Sequence, residues 1–287
     1  MQDVWKYRFG LLLVTVSALA WSTGGYFIRL IPLDAWTQLQ WRGLFGALGI
    51  AVFLGVRDGK RAWTDLQHLG WAGVGYVLLG SLASICYITS VKYTSVAHVG
   101  IIYATVPLVT ALLAWLVIRE RASRSALLAS LASFAGVALM VGAGGEGGLL
   151  GDGLALLLTL FTASMIVVAK RHLEIPLLQA IGLSALGSSL FAMPFAEHSV
   201  PSAEMLGWLF VFALITSTIG LATFAVGSRL VPDTETALIG ALDAPLSPIW
   251  VWVAFNETPT LATLLGGAIV LLAIVGHILW STRSDGR

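Results

Sequence analysis

Charge is what this sequence has least of. Only 11% of its 287 residues are Asp, Glu, Lys or Arg, against about 25% in a soluble domain. That shortage excludes a soluble enzyme and a disordered tail protein. The net charge of +1 leaves no basic surface for a polyanion, so nucleic acid is not an expected partner. A single cysteine, Cys86, excludes a disulfide framework and a cysteine-built metal site. No GxxxxGK[ST] loop is present to cradle phosphates, and no His, Asp or Glu cluster has metal-ligand spacing, so neither cofactor nor metal is expected.

What the chain does have is apolar length. Hydrophobic residues make up 57% of it and the mean hydropathy is +0.89. They fall in runs of roughly 18 to 24 residues, enough to cross a bilayer as helix; a barrel would alternate in short strands instead. Breaks at charged, Pro or Gly clusters divide the chain into ten predicted spans: 8–31, 35–56, 69–90, 95–118, 124–143, 151–171, 177–196, 204–228, 233–256 and 260–281. The fold class is therefore all-α, a polytopic membrane protein, with no room left for an extramembrane domain. The first span follows the N-terminus directly and reads as a retained anchor, not a cleaved signal.

Orientation follows from the basic residues. Of the 16 Lys and Arg, 13 fall on one side, from Lys6 and Arg8 at one end to Arg283 and Arg287 at the other. Arg29 and Lys92 fall opposite, and Arg42 lies inside a span. The positive-inside rule then puts both termini in the cytoplasm of a bacterial inner membrane.

The halves resemble one another. Gly10, Ser22, Thr23 and Arg29 match Gly151, Ala163, Ser164 and Lys170 at an offset of 141. Trp115, Glu120, Ala129 and Gly136 match Trp252, Glu257, Gly266 and Ala273 at 137, and Pro107 matches Pro245 within one residue. Each half, 1–143 and 151–287, holds five spans around a Gly-rich linker at 144–150. An odd number of spans makes the repeat inverted, the architecture of secondary transporters with a midplane site between repeats.

Several positions carry a resemblance. They are the small-polar stretch Ala20, Trp21, Ser22, Thr23 and Gly24, Arg42 in the second span, and Pro107 with Glu120 in the fourth. Pro245, Glu257, Gly266 and Gly267 stand at the corresponding places of the second half. On these the chain resembles the drug/metabolite transporter superfamily, in its ten-helix EamA-domain family, over essentially its whole length. The Trp- and Tyr-rich aromatic amino-acid exporters of that family (YddG-like) are the nearest likeness. The chain departs from the pattern where Asp243, Pro245 and Pro248 replace a single proline. The resemblance implies a small-molecule exporter working by alternating access, embedded in lipid as a monomer, with protons as possible co-substrates.

Polar stripes mark where a path could run. Thr15, Ser22, Tyr26 and Arg29 share a face of span one, bordered by Trp21; span three aligns Tyr76, Gly80, Ser84 and Tyr87. Tyr103 and Pro107 share a face of span four, Thr159 and Thr162 one of span six, and Gly240, Asp243, Ser247 and Trp250 one of span nine. Small-residue stripes alone read equally as packing seams; those with a ring or charge read as cavity lining. The candidate substrate residues are Trp21, Ser22, Tyr26, Tyr76, Ser84, Tyr87, Tyr103, Thr162, Asp243, Ser247 and Trp250. Asp243, a carboxylate at mid-depth, either binds a proton or an ammonium or is held by an arginine. His98 is the second coupling candidate, with structural hydrogen bonding as the alternative. Arg42 pairs with a substrate carboxylate, pairs with Asp243 if the fold brings them together, or snorkels towards the headgroups. Pro107, Pro245 and Pro248 are the expected hinges. Aromatic and hydrophobic amino acids are the preferred cargo. A multidrug or other metabolite exporter and a non-transporting sensor or scaffold are the alternatives.

Overall fold

The computed structural model describes residues 2–119, 124–142, 148–197, 199–231, 236, 239–240 and 242–285, and among them every regular element is helical. The first segment is α1 (Gln2–Ser22) and α2 (Gly24–Leu30), parted at Thr23 inside the small-polar stretch. It is followed by α3 (Ala35–Asp58), α4 (Arg61–Thr64), a 3-10 turn at Asp65–His68, and α5 (Gly70–Tyr93). Next come α6 (Val96–Tyr103), α7 (Val106–Ile118), α8 (Arg124–Gly142), α9 (Leu149–Arg171) and α10 (Leu177–Ala192). The chain continues through α11 (Ala203–Ala213), a π-helical turn at Leu214–Ile219, α12 (Gly220–Gly227), α13 (Asp243–Phe255) and α14 (Leu261–Asp285).

Among the described residues six helical stretches are long and apolar enough to cross a membrane: Trp5–Leu30, Ala35–Asp58, Gly70–Tyr93, Val96–Val117, Leu149–Arg171 and Ala203–Gly227. Four shorter apolar helices lie at Leu128–Leu139, Leu177–Ala192, Leu246–Phe255 and Leu261–Ala273. Outward faces stay apolar: Leu48, Val52, Leu131, Leu272 and Val253 are more than half exposed. In water such a surface would aggregate; in hydrocarbon it is the solvated face. The interior is built on Phe27, Ile28, Leu39, Ile102, Leu209 and Phe212, all buried.

Helix starts follow local chemistry. Asp34 caps α3, its carboxylate accepting from the Trp36 and Thr37 amides at 2.8 and 3.0 Å. Ser95 caps α6 through the His98 amide at 3.1 Å. Such caps satisfy donors that a helix leaves unpaired at its first turn.

The expected hinges take specific forms. The break in the fourth segment lies at Ala104–Thr105, and Pro107 follows in the first turn of α7. There its missing N–H costs no helical bond. In the ninth segment α13 opens at Asp243, so the aspartate stands at a helix start, where the dipole favours a negative charge. Pro245 falls in that first turn and Pro248 lies inside the helix. Of 233–242, positions 236 and 239–240 are helical and 242 is a turn. The remainder lies outside the described residues, as do Glu120 and residues 144–147 of the Gly-rich linker. The π turn at Leu214–Ile219 was not foreseen, since hydropathy does not register one extra residue in a turn.

Packing joins opposite ends of the sequence. Helices α8 and α14 lie along each other, as do α5 and α9, α3 and α10, and α1 and α12. The α3–α10 contact is close because Gly43 lacks a side chain; a Cβ there would lie 2.6 Å from the Ala185 carbonyl oxygen. Helices α7 and α13 share the same length of 13 residues and the same register, 137 positions apart. Each ends on a left-handed residue, Arg119 (φ 59°) and Asn256 (φ 56°).

Candidate functional site

A cavity of about 590 Å³ lies among α1, α3, α5, α6, α9, α10, the π turn, α12 and α13. Its walls include Trp21, Arg42, Tyr76, Ser84, Tyr87, Tyr103, Thr162, Phe224, Asp243 and Ser247. Eight of the expected site residues are thus brought together from helices far apart in sequence. The space suits one small organic molecule.

Its chemistry is mixed. Aromatic walls come from Trp21, Tyr76, Tyr87, Tyr103 and Phe224. The Trp21 indole donates from Nε1 to the Thr216 carbonyl at 3.0 Å, and its ring lies 5.2 Å from that of Phe224. That carbonyl belongs to the π turn, where irregular bonding offers oxygens to side-chain donors. Tyr87 and Tyr103 both interact electrostatically with Asp243, and Tyr103 pairs with the Thr162 side chain. The Tyr87 hydroxyl packs against the backbone of Gly24, where an added Cβ would collide with its oxygen.

Two charges face this space. The Arg42 guanidinium lies over the Phe212 ring, 4.7 Å from its centroid. Its Nε is buried with no hydrogen-bond partner. Among the described residues no salt bridge joins Arg42 to Asp243, or either of them to another charged side chain.

Three expected site residues stand apart from the cavity lining. Ser22 is buried and accepts from the Trp250 indole Nε1 at 2.9 Å, so these two tie α1 to α13. The Ser22 hydroxyl itself donates to the Leu19 carbonyl at 2.8 Å. Tyr26 packs on Phe27 and Phe255, with centroids 5.5 and 5.7 Å away. Of the three, only Tyr26 lies beyond the break at Thr23, which alters its phase; Ser22 sits one residue from Trp21 within α1, and Trp250 follows Pro248 within α13.

His98 also lies outside the cavity. Its Nδ1 is 3.0 Å from Asp152 Oδ1 and its Nε2 is 3.4 Å from Thr263 Oγ1. Thr94 donates to the same Asp152 oxygen at 2.7 Å. Arg29 donates to the Thr94 carbonyl at 3.0 Å, and its Nε lies 3.1 Å from Glu257 Oε1. Around this end Lys92 bonds the Leu33 carbonyl at 2.9 Å, and the Gln38 amide reaches the Ile31 and Leu33 carbonyls at 2.8 and 3.1 Å. A smaller cavity of about 290 Å³ sits beside Arg29, Pro248 and Glu257. Asp152 escaped the sequence reading because a carboxylate beside a Gly-rich stretch reads as an ordinary helix start. Ser184 and Ser188 of α10 also line the large cavity; their spacing of four was the available signal.

The sequence profile of the EamA-like transporter family matches this chain twice, over residues 8–142 and again over 149–279. The chain belongs to the EamA-like transporter family. It is 29% identical over 220 residues to a Bacillus subtilis (strain 168) protein described as "Uncharacterized transporter YetK". That match takes in 71% of this chain and 66% of the relative, just under two thirds of its length. A solved structure described only as "Crystal structure of protein" aligns with a TM-score of 0.60 at 21% identity, over 96% of this chain and 98% of that one. It shares the fold. The family is one of transporters, and six described helical stretches are long and apolar enough to cross a membrane.

Proposed function

We propose that this protein exports small amphipathic metabolites, with aromatic and other hydrophobic amino acids as its preferred cargo. The observation that carries the reading is the large cavity itself: ring-lined walls with one charge of each sign. Rings can stack on flat apolar side chains, while two charges suffice for a small head group. A phosphate-bearing substrate would call for several cations, and this cavity holds Arg42 alone among the described lining residues.

The mechanism is alternating access between two inverted five-span repeats, ten spans in all, in the bacterial inner membrane with both termini cytoplasmic. Three features support that arrangement. The family profile fits both halves. The two fourth helices, α7 and α13, share length, register and left-handed termination. Exchanging each helix for its counterpart also turns the α5–α9 packing into α12–α1 and leaves α3–α10 and α8–α14 unchanged. The substrate site then lies between the repeats, as in other transporters of inverted design.

Asp243 faces the cavity and His98 does not, so coupling falls on Asp243. A proton and a substrate ammonium compete for one carboxylate there, which yields exchange of one for the other.

Uptake of labelled Phe, Trp, Met and Thr into proteoliposomes, with and without a pH gradient, tests the reading. Saturable flux of Phe and Trp, stimulated by the gradient in the wild type and unstimulated in Asp243→Asn, is expected. Absence of flux for all four amino acids removes the proposed cargo. Stimulation that survives in Asp243→Asn moves the coupling elsewhere.

A further inference from the structure

The two cavity charges are arranged to complement something outside the protein. A buried charge is costly unless it is paired. Arg42 and Asp243 come from α3 and α13, yet no salt bridge joins them among the described residues. Arg42, Tyr87 and Asp243 line the same cavity.

Arg42 is held in a particular way. The Arg42 Cζ lies over the Phe212 ring, 4.7 Å from its centroid. A cation–π contact uses no carboxylate, and the guanidinium carries five N–H donors in one plane that suit a planar anion. The buried Nε has no partner. A carboxylate is the planar group that fits such a fork. Asp243 offers the opposite pole in a cavity whose walls also hold the Tyr76, Tyr87 and Tyr103 rings, a setting of negative charge and aromatic faces that suits an ammonium.

We infer that Arg42 binds the carboxylate and Asp243 the ammonium of a zwitterionic substrate, so that the cavity selects α-amino acids over their amine and acid analogues. This rests on the exporter reading above, and it assigns to Arg42 a recognition role in place of snorkelling. Each pole leaves the other charge uncompensated when a substrate lacks one group. Selectivity therefore arises from the pairing of both.

The test is ligand binding to the purified full-length protein in detergent, measured with L-phenylalanine, phenethylamine and 3-phenylpropionate. The wild type should bind phenylalanine at least tenfold more tightly than either analogue. Arg42→Gln should lower phenylalanine to the affinity of phenethylamine and leave phenethylamine unchanged. Asp243→Asn should lower it to that of 3-phenylpropionate and leave 3-phenylpropionate unchanged. Arg42→Lys, which keeps charge without the fork, should fall between wild type and Arg42→Gln.

Equal binding of phenylalanine and either analogue by the wild type overturns the assignment without requiring any variant to fold. So does a variant that weakens both analogues alike. The methionine series, with 3-(methylthio)propylamine and 4-(methylthio)butyrate, separates the two readings. Discrimination there without flux of Phe or Trp retires the aromatic cargo and keeps the poles. Flux of Phe or Trp without discrimination does the reverse, and no binding of any zwitterion removes both.

Discussion

The Arg29 end of the bundle and the large cavity handle charge in opposite ways. At the Arg29 end each ionisable group meets a partner of this chain: Glu257 by Arg29, Asp152 by His98 and Thr94, and Lys92 by backbone carbonyls. In the cavity, among the described residues, Arg42 lies over the Phe212 ring, Asp243 interacts with Tyr87 and Tyr103, and neither charge forms a salt bridge. A buried charge is costly unless it is paired. Internal ion pairs and hydrogen bonds join the helices at the Arg29 end, while the two cavity charges face open space.

The sharpest way to break this contrast is to remove Asp152. Asp152→Ala strands the His98 ring and the Thr94 hydroxyl together, at a cost of about 3 kcal/mol. The thermal unfolding midpoint in detergent should fall well below wild type, while Asp152→Asn, which keeps an acceptor, recovers most of the loss. A fall no greater than for an exposed position would show that the cluster does not hold the helices. Next comes Gln38→Leu, which frees the Ile31 carbonyl and takes one donor from Leu33. About 1–2 kcal/mol should be lost, visible in the same melt.

Smaller still is Glu257→Gln. Arg29 and Glu257 side chains are 26% and 38% exposed, so the pair contributes less than about 1 kcal/mol. A midpoint close to wild type is expected, and a large drop would make this contact far more than a surface ion pair. At the bottom of the scale, Asp243→Asn should leave the midpoint unchanged or raise it, because it removes an unpaired charge, while amino-acid flux falls at least tenfold. A midpoint that drops by as much as Asp152→Ala would place Asp243 among the structural groups and erase the contrast.

Much of the architecture was legible because the bilayer imposes it. The expected limits of the second span, 35–56, and the sixth, 151–171, lie within two residues of α3 and α9, since length and hydropathy leave little choice. The site was legible where regular helical phase carried it: Tyr76, Gly80, Ser84 and Tyr87 of α5 all reach the cavity. It failed at Tyr26, which lies beyond the break at Thr23 and turns towards Phe255, and at Ser22 and Trp250, which bond to each other across α1 and α13. Tertiary partners were the other blind spot. Nothing near position 152 announces His98 or Thr94, which are brought to it by the α6–α9 packing.

The contact between Gly24 and the Tyr87 hydroxyl has a consequence for how such a transporter can change. Because the tyrosine rests on bare backbone, its place in the wall is set by the absence of a single methyl group. Any larger residue at position 24 meets the Tyr87 hydroxyl and makes the ring or the backbone give way, so a single glycine fixes where one wall of the cavity stands and which molecules fit against it.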